Sequence, residues 1–339
     1  MADRSTLKDV ARRAGVSTGM AGRVLGGYGS FSAETRRKVL VAARAVHYSP
    51  NVIARALKTR LTKTVGVLVP DITTFFWTTM VRGIQDRAAR DGFSVVLSNS
   101  DEESYNERAS LSVLVERSID GLILCPTPDN HAYLRALSRG GIPLVLVDRH
   151  VPGLRVPTIS VDNRAGSREA VAHLVRLGHR RIAIIKGLDG VETSDERLAG
   201  YSEALREGGI RPRASLVKEG RFLKDRAFAA TQELLGMKDR PSAIFVCNEP
   251  MATGCMLALK QAGVRVPSQM SLVAFDDPVW AEYASPPLTT VSQPSYSMGM
   301  LAFDYLLAQI SDRTRSRRRP LENTVLKTTL VTRDSCAAV

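Results

Sequence analysis

The sequence predicts an α/β protein with parallel sheets, preceded by a small all-helical module. Two observations carry this. From about Thr64 onward, short apolar, β-branched runs alternate with amphipathic helical stretches, the pattern of βαβ units. Before that point the chain is helical and strongly basic. Residues 1–63 hold thirteen Lys or Arg against three acids, a net charge of +10, whereas the other 276 of the 339 residues carry only +3. A basic module on a near-neutral body points to a polyanion partner for the module alone.

The elements of the module follow in order. Leu7, Val10, Ala11 and Ala14 fall at i, i+3, i+4 and i+7, one apolar stripe of a first helix. Thr6 is placed to cap it and Gly15 to end it. Ser17 caps a second helix running to about Leu25, with Ala21, Val24 and Leu25 as its apolar side. Gly19 and Gly22 fall inside that helix, where each costs up to about 1 kcal/mol relative to alanine. Gly26, Gly27 and Gly29 make a turn. Ser32 caps a third helix with the stripe Val39, Ala42, Ala43 and Val46. Two short helices joined by a tight turn, closed by a third, form a helix-turn-helix arrangement over residues 1–48. Residues 49–63 read as a connector: Pro50 opens about two helical turns carrying Ile53, Ala54 and Leu57, too short to be stable alone.

In the body, strands are expected at "TVGVLVPD", "FSVVLSNS", "DGLILCP", "PLVLVD", "RIAIIKG", "SAIFVCN" and "MSLVAFDD". Helices are expected over 79–91, 106–117, 164–177 and 197–207. Seven strands fit two sheets better than one. Asp or Asn recurs at their carboxyl ends (Asp71, Asn99, Asp101, Asp148, Asn248, Asp276, Asp277), where open α/β sheets bind ligands. Each alone is an ordinary turn former; the repetition favours a cleft.

Several function classes are disfavoured. There is no G-x-G-x-x-G after the first strand, no Walker loop, no G-x-S-x-G and no H-E-x-x-H, so neither an enzyme nor a cofactor is expected. Four scattered cysteines and five unpaired histidines make no metal set. The charged N-terminus lacks a signal-peptide core and no apolar run reaches eighteen residues, so a cytoplasmic protein without a membrane span is expected.

"TLKDVARRAGVS", "SAETRRKVLVAARAVHYSPNVIARALKT", "TVGVLVPDI", "PLVLVDR", "VDNRAG", "HLVRLGHRRIAII", "ERLAGY", "FVCNEPMATG", "VPSQMSLVAFDD" and "PPLTTVSQP" together resemble the LacI/GalR family of bacterial transcription regulators, in the family's order and over nearly the whole chain. The resemblance implies a helix-turn-helix domain, a hinge helix and a two-lobed, periplasmic-binding-protein-like domain at 64–339. Its lobes are expected at about 64–161 with 293–322 and about 162–292 with 323–335, crossed near Asp162, Gln293 and Asn323. It also implies a homodimer, or a tetramer of dimers, on double-stranded operator DNA. Most family members are repressors switched by a small-molecule effector, here expected to be a sugar or sugar derivative, with a nucleoside-type ligand or a protein co-effector as the alternative.

The resemblance also assigns residues. Thr18 and Gly19 match the base-reading positions of the second helix, with Arg23 one turn on. Ser17, Thr6 and Met20 are further DNA-binding candidates. The hydroxyl residues usual at 20 and 22 are here Met20 and Gly22, which suits a closer approach of the helix to DNA. In the hinge, Ala54 and Leu57 match residues that wedge into the minor groove, and Asn51 and Arg55 match phosphate or groove contacts. In the cleft, Arg197 matches the family's ligand arginine, a fork suited to vicinal hydroxyls, a carboxylate or a phosphate. Asp148, Asn248 and Asp276 match polar contacts, and Phe222 an aromatic that stacks on a sugar. Asp101 and the cleft-mouth residues Thr74, Phe75 and Phe76 complete the effector candidates. The arginine-rich run 312–320 falls in a variable surface loop.

Overall fold

The computed structural model describes residues 5–26, 28–48, 61–312 and 322–339. It forms two compact units, residues 1–63 and 64–339. The expected hinge residues Asn51, Ala54, Arg55 and Leu57 lie outside the described residues, as does most of the arginine-rich run.

In the first unit, α1 (Leu7–Ala14), α2 (Thr18–Gly26) and α3 (Ala33–Ala45) close a small core. Asp9 Oδ2 accepts from the Thr6 N–H at 2.9 Å and from its hydroxyl at 2.7 Å, which fixes the start of α1. Gly15 ends that helix at φ 66°, a left-handed conformation that glycine adopts freely. Ser17 Oγ accepts the Met20 N–H and Ser32 Oγ the Thr35 N–H, both at 3.1 Å. Caps of this kind stabilise a helix by about 1 kcal/mol each. The three apolar stripes meet in a core of Val10, Ala11, Ala21, Val24, Val39, Ala42 and Ala43.

The second unit is two-lobed. The first lobe begins with β1 (Thr64–Val69), α4 (Phe75–Arg90), β2 (Ser94–Asn99), α5 (Ser104–Glu116), β3 (Gly121–Leu124), α6 (His131–Arg139), β4 (Leu144–Val147) and β5 (Thr158–Val161). The second holds α7 (Asn163–Arg176), β6 (Ile182–Lys186), α8 (Glu192–Glu207), β7 (Val217–Glu219), α9 (Lys224–Leu235), β8 (Ala243–Val246), α10 (Glu249–Gln261), β9 (Ser271–Phe275), α11 (Trp280–Tyr283) and β10 (Thr289–Ser292). Then α12 (Ser295–Asp312) and β11 (Thr324–Leu326) return to the first lobe, and β12 (Thr329–Val331) ends in the second.

The first sheet has the order β11-β5-β4-β3-β1-β2 and is parallel throughout. The second has the order β12-β10-β9-β8-β6-β7, parallel except for the antiparallel β10–β12 pair. β3, β4, β6, β8 and β9 are buried along their whole length, which is why they read as unbroken apolar runs.

The chain crosses between lobes after Val161 and at Gln293. The third crossing lies later than the expected Asn323. Asn323 Oδ1 accepts the Thr158 N–H at 3.0 Å and Thr324–Leu326 pair with β5, so the chain stays in the first lobe until Lys327 and Thr328. Helices α4 and α8 also start earlier than periodicity placed them, at Phe75 and Glu192, because the extended residues Thr74 and Val191 end the loops there. Among the described residues no helix is long and apolar enough to cross a membrane.

Candidate functional site

On α2, Thr18, Gly19 and Arg23 are exposed. A Cβ at Gly19 would meet nothing closer than Ser17 Oγ at 4.0 Å. Met20, a DNA-binding candidate by sequence, is half-buried and packs on the core. Gly22 is half-buried as well, and a Cβ there would touch Leu7 at 3.5 Å, so it is a point of close approach to α1. The Ser17 hydroxyl accepts from Met20 and keeps its own proton to donate.

The effector candidates gather where strand ends of the two lobes face each other. Asp148 follows β4 and Asp276 follows β9. Both are buried and both have left-handed backbone, φ 69° and 76°, as does Phe222 at 62°. Non-glycine residues in this region cost about 1–3 kcal/mol each and cluster where function demands a geometry. Burial raises the Asp148 carboxyl above its ordinary range, and the nearby Arg149 and Arg197 charges partly offset this. Burial likewise raises Asp276, against Arg197 and hydrogen bonds from Gln293 and Glu249. Asp276 Oδ1 accepts from Gln293 Nε2 at 2.6 Å, and Oδ2 from the Glu249 N–H at 3.0 Å.

Arg197 is buried on α8. Its guanidinium stacks 3.8 Å over the Phe275 ring, Nε donates to Asn163 Oδ1 at 2.8 Å and Nη1 donates to the Cys247 carbonyl. The Phe222 ring fills the space a Cβ would take at Gly187, only 2.1 Å from Phe222 Cζ, and Arg149 sits 5.6 Å above it. Asn248 is half-buried and caps α10: its Oδ1 accepts the Met251 N–H at 3.0 Å and its Nδ2 reaches the Phe222 carbonyl at 3.4 Å. It thus holds Phe222 from behind. Phe75 and Phe76 line a cavity of about 210 Å³ together with Asp276, Gln293 and Ser295. Phe76 also packs edge-on against buried Trp77, and the Thr74 hydroxyl donates to the Asp71 carbonyl in the loop beside them.

Asp101 does not join this group. It is exposed, and both of its carboxylate oxygens take amide hydrogens from Asn99 and Asn106. The next residue, Glu102, turns inward instead and binds Arg149 through two 2.6 Å hydrogen bonds. Arg149, Glu102, Gln293 and Glu249 are site residues that sequence reasoning missed. "PLVLVDR" contained Arg149, but nothing local marked its partner 47 positions away. Three buried polar atoms at the cleft have no hydrogen-bond partner among the described residues: Asp148 Oδ1, Arg149 Nε and Gln293 Oε1. Such groups are costly unless something satisfies them.

A helix-turn-helix unit and a two-lobed unit with a polar cleft define a ligand-responsive DNA-binding regulator. Residues 6–51 match the family described as bacterial regulatory proteins, lacI family, and residues 171–336 match the periplasmic binding protein-like domain. The HTH-type transcriptional repressor PurR of Photobacterium profundum is 33% identical over 315 residues, 93% of this chain and 94% of that protein. The lac repressor dimer bound to operator and the anti-inducer ONPF superposes with a TM-score of 0.86 at 30% identity, over 99% of this chain and 100% of that one. A complex of the transcriptional regulator CelR with cellobiose gives 0.73 at 32%, over 98% and 100%. The chain belongs to the lacI family of bacterial regulatory proteins. It is a DNA-binding transcriptional regulator of the repressor type, not an enzyme.

Proposed function

We propose that this chain is a dimeric repressor whose affinity for a near-palindromic operator is switched by a sugar or sugar derivative held between its lobes. The single observation that carries the sugar is the buried, partner-free Asp148 Oδ1, set among the further acceptors Asp276 and Gln293 Oε1. Such a cluster calls for a ligand rich in hydroxyl donors. Phe75 and Phe222 supply apolar faces for the ring, and Arg197 the fork for adjacent hydroxyls. The likeness to the CelR–cellobiose complex supports the same class. Thr18, Gly19 and Arg23 read the major groove, Ser17 and Thr6 flank the phosphates, and Met20 supports the helix that carries them. In this reading Ala54 and Leu57 are the minor-groove wedge and Asn51 and Arg55 contact phosphate or groove, all four lying outside the described residues. The effector acts by favouring one lobe angle, which changes hinge pairing and so operator affinity.

A thermal-shift panel of neutral sugars, sugar phosphates and nucleosides tests this. A neutral sugar is expected to raise Tm, since a ligand of the native state must stabilise it, and Arg197→Ala to remove the shift without changing DNA binding. A shift from nucleosides alone would overturn the sugar. The same shift in Arg197→Ala would overturn the role of that arginine.

A further inference from the structure

We infer that Glu192 and Glu249 form a two-point clasp that fixes the angle between the lobes and against which an effector must work. Each is the first residue of a second-lobe helix, α8 and α10. Each reaches across the cleft to a backbone N–H of the first lobe. Glu192 Oε2 accepts from the His150 N–H at 2.6 Å, and its Oε1 lies 2.8 Å from His150 Nδ1. Glu249 Oε2 accepts from the Phe75 N–H at 2.7 Å, and its Oε1 from Trp280 Nε1 at 2.9 Å.

The Phe75 contact is the more telling. Phe75 opens α4, so its N–H is one of the four that a helix cannot satisfy internally. The local residue that would cap it, Thr74, makes no side-chain cap; its hydroxyl donates to the Asp71 carbonyl at 3.2 Å. The cap comes instead from the other lobe, 174 positions away, and places a carboxylate at the positive end of the helix. Opening the cleft strips α4 of that cap. The clasp is also wired to the site. The Glu249 N–H donates to Asp276, Phe75 lines the cavity, and His150 follows Asp148 and Arg149 directly. A ligand that draws Asp276 or Phe75 toward itself therefore competes with the clasp, a consequence that rests on the cleft being the effector site. The contacts themselves do not depend on that reading.

Amide hydrogen exchange and small-angle scattering on the full-length protein, without DNA or effector, test the clasp. Glu249→Asp keeps a carboxylate at the start of α10 and shortens its reach by one methylene. Exchange at the Phe75 amide is expected to rise roughly tenfold or more, with the later turns of α4 unchanged. Glu192→Asp is expected to do the same at His150, and the double variant to show a larger radius of gyration. Glu249→Gln, of equal reach and still able to accept from Phe75, is expected to retain slow exchange, which separates reach from any general loss of stability. Equal exchange in the Asp and Gln variants, or a double variant with unchanged amides and radius, would overturn the clasp. A clasp that holds while no sugar shifts Tm would leave it standing and count only against the effector reading.

Discussion

Gly19 is the second residue of α2 and is exposed. Among the described residues, apart from its chain neighbours and the backbone of its own helix, nothing lies within 4 Å of where its Cβ would sit except Ser17 Oγ at that limit. On the proposed reading, a methyl group at this exposed position would meet DNA rather than protein. Gly19→Ala is expected to stabilise the free protein by up to about 0.5 kcal/mol, less than in a helix interior because it lies in the first turn, and to weaken operator binding. Chemical denaturation and DNA titration of the same variant check both halves; greater stability with unchanged DNA affinity would mean the glycine is merely tolerated. Gly22 differs, because its neighbours Leu7 and Tyr28 leave room for a methyl group only in contact. At this scale the sequence was informative where chemistry is local. Ser17, Ser32 and Thr6 announced their caps, and Asp148 and Asp276 announced strand ends. It was silent on which of Asp101 and Glu102 turns inward, since that depends on Arg149, brought near only by the sheet.

At the scale of elements, long apolar strands and capped helices were legible, and short strands were not. β5, β7, β10, β11 and β12 are three or four residues each, several rich in threonine, too short to establish a period. β11 and β12 lie two residues apart yet join different sheets, so the sequence reads them as one segment and misplaces the crossing. Contacts between elements were hidden for the same reason, and the His150–Glu192 pair has a measurable pH signature. The hydrogen bond to the Glu192 carboxylate raises His150 above its ordinary 6.5, against burial. A raised histidine contributes its full stabilisation below 6.5 and loses it as pH rises through the folded value. Burial alone would raise Glu192, but its hydrogen bonds with His150 outweigh this and lower it below the ordinary 4.5. Its contribution is present above 4.5 and lost as pH falls through the folded value. The pair therefore stabilises most between about pH 4.5 and 6.5. His150→Gln is expected to flatten the fall in stability above pH 6.5, as followed by urea unfolding. A profile identical to the parent's would contradict the pairing.

For the whole molecule, the charge division of +10 on residues 1–63 and +3 on the rest parallels the structural division at Lys63 and Thr64. On the proposed reading, DNA affinity belongs to the first unit and effector recognition to the second, and the coupling between them is a free energy carried by the lobe angle. A coupling of about 1–3 kcal/mol would change operator affinity roughly 5- to 150-fold. Because phosphate contacts make any such affinity depend on salt, the comparison must be made at one ionic strength. The most direct measurement is the Kd of the full-length protein for a duplex selected from a random pool, with and without a saturating concentration of the sugar that raises its Tm. A change of about fivefold or more is predicted. Selection of no preferred duplex, or one Kd regardless of the bound sugar, would contradict the account.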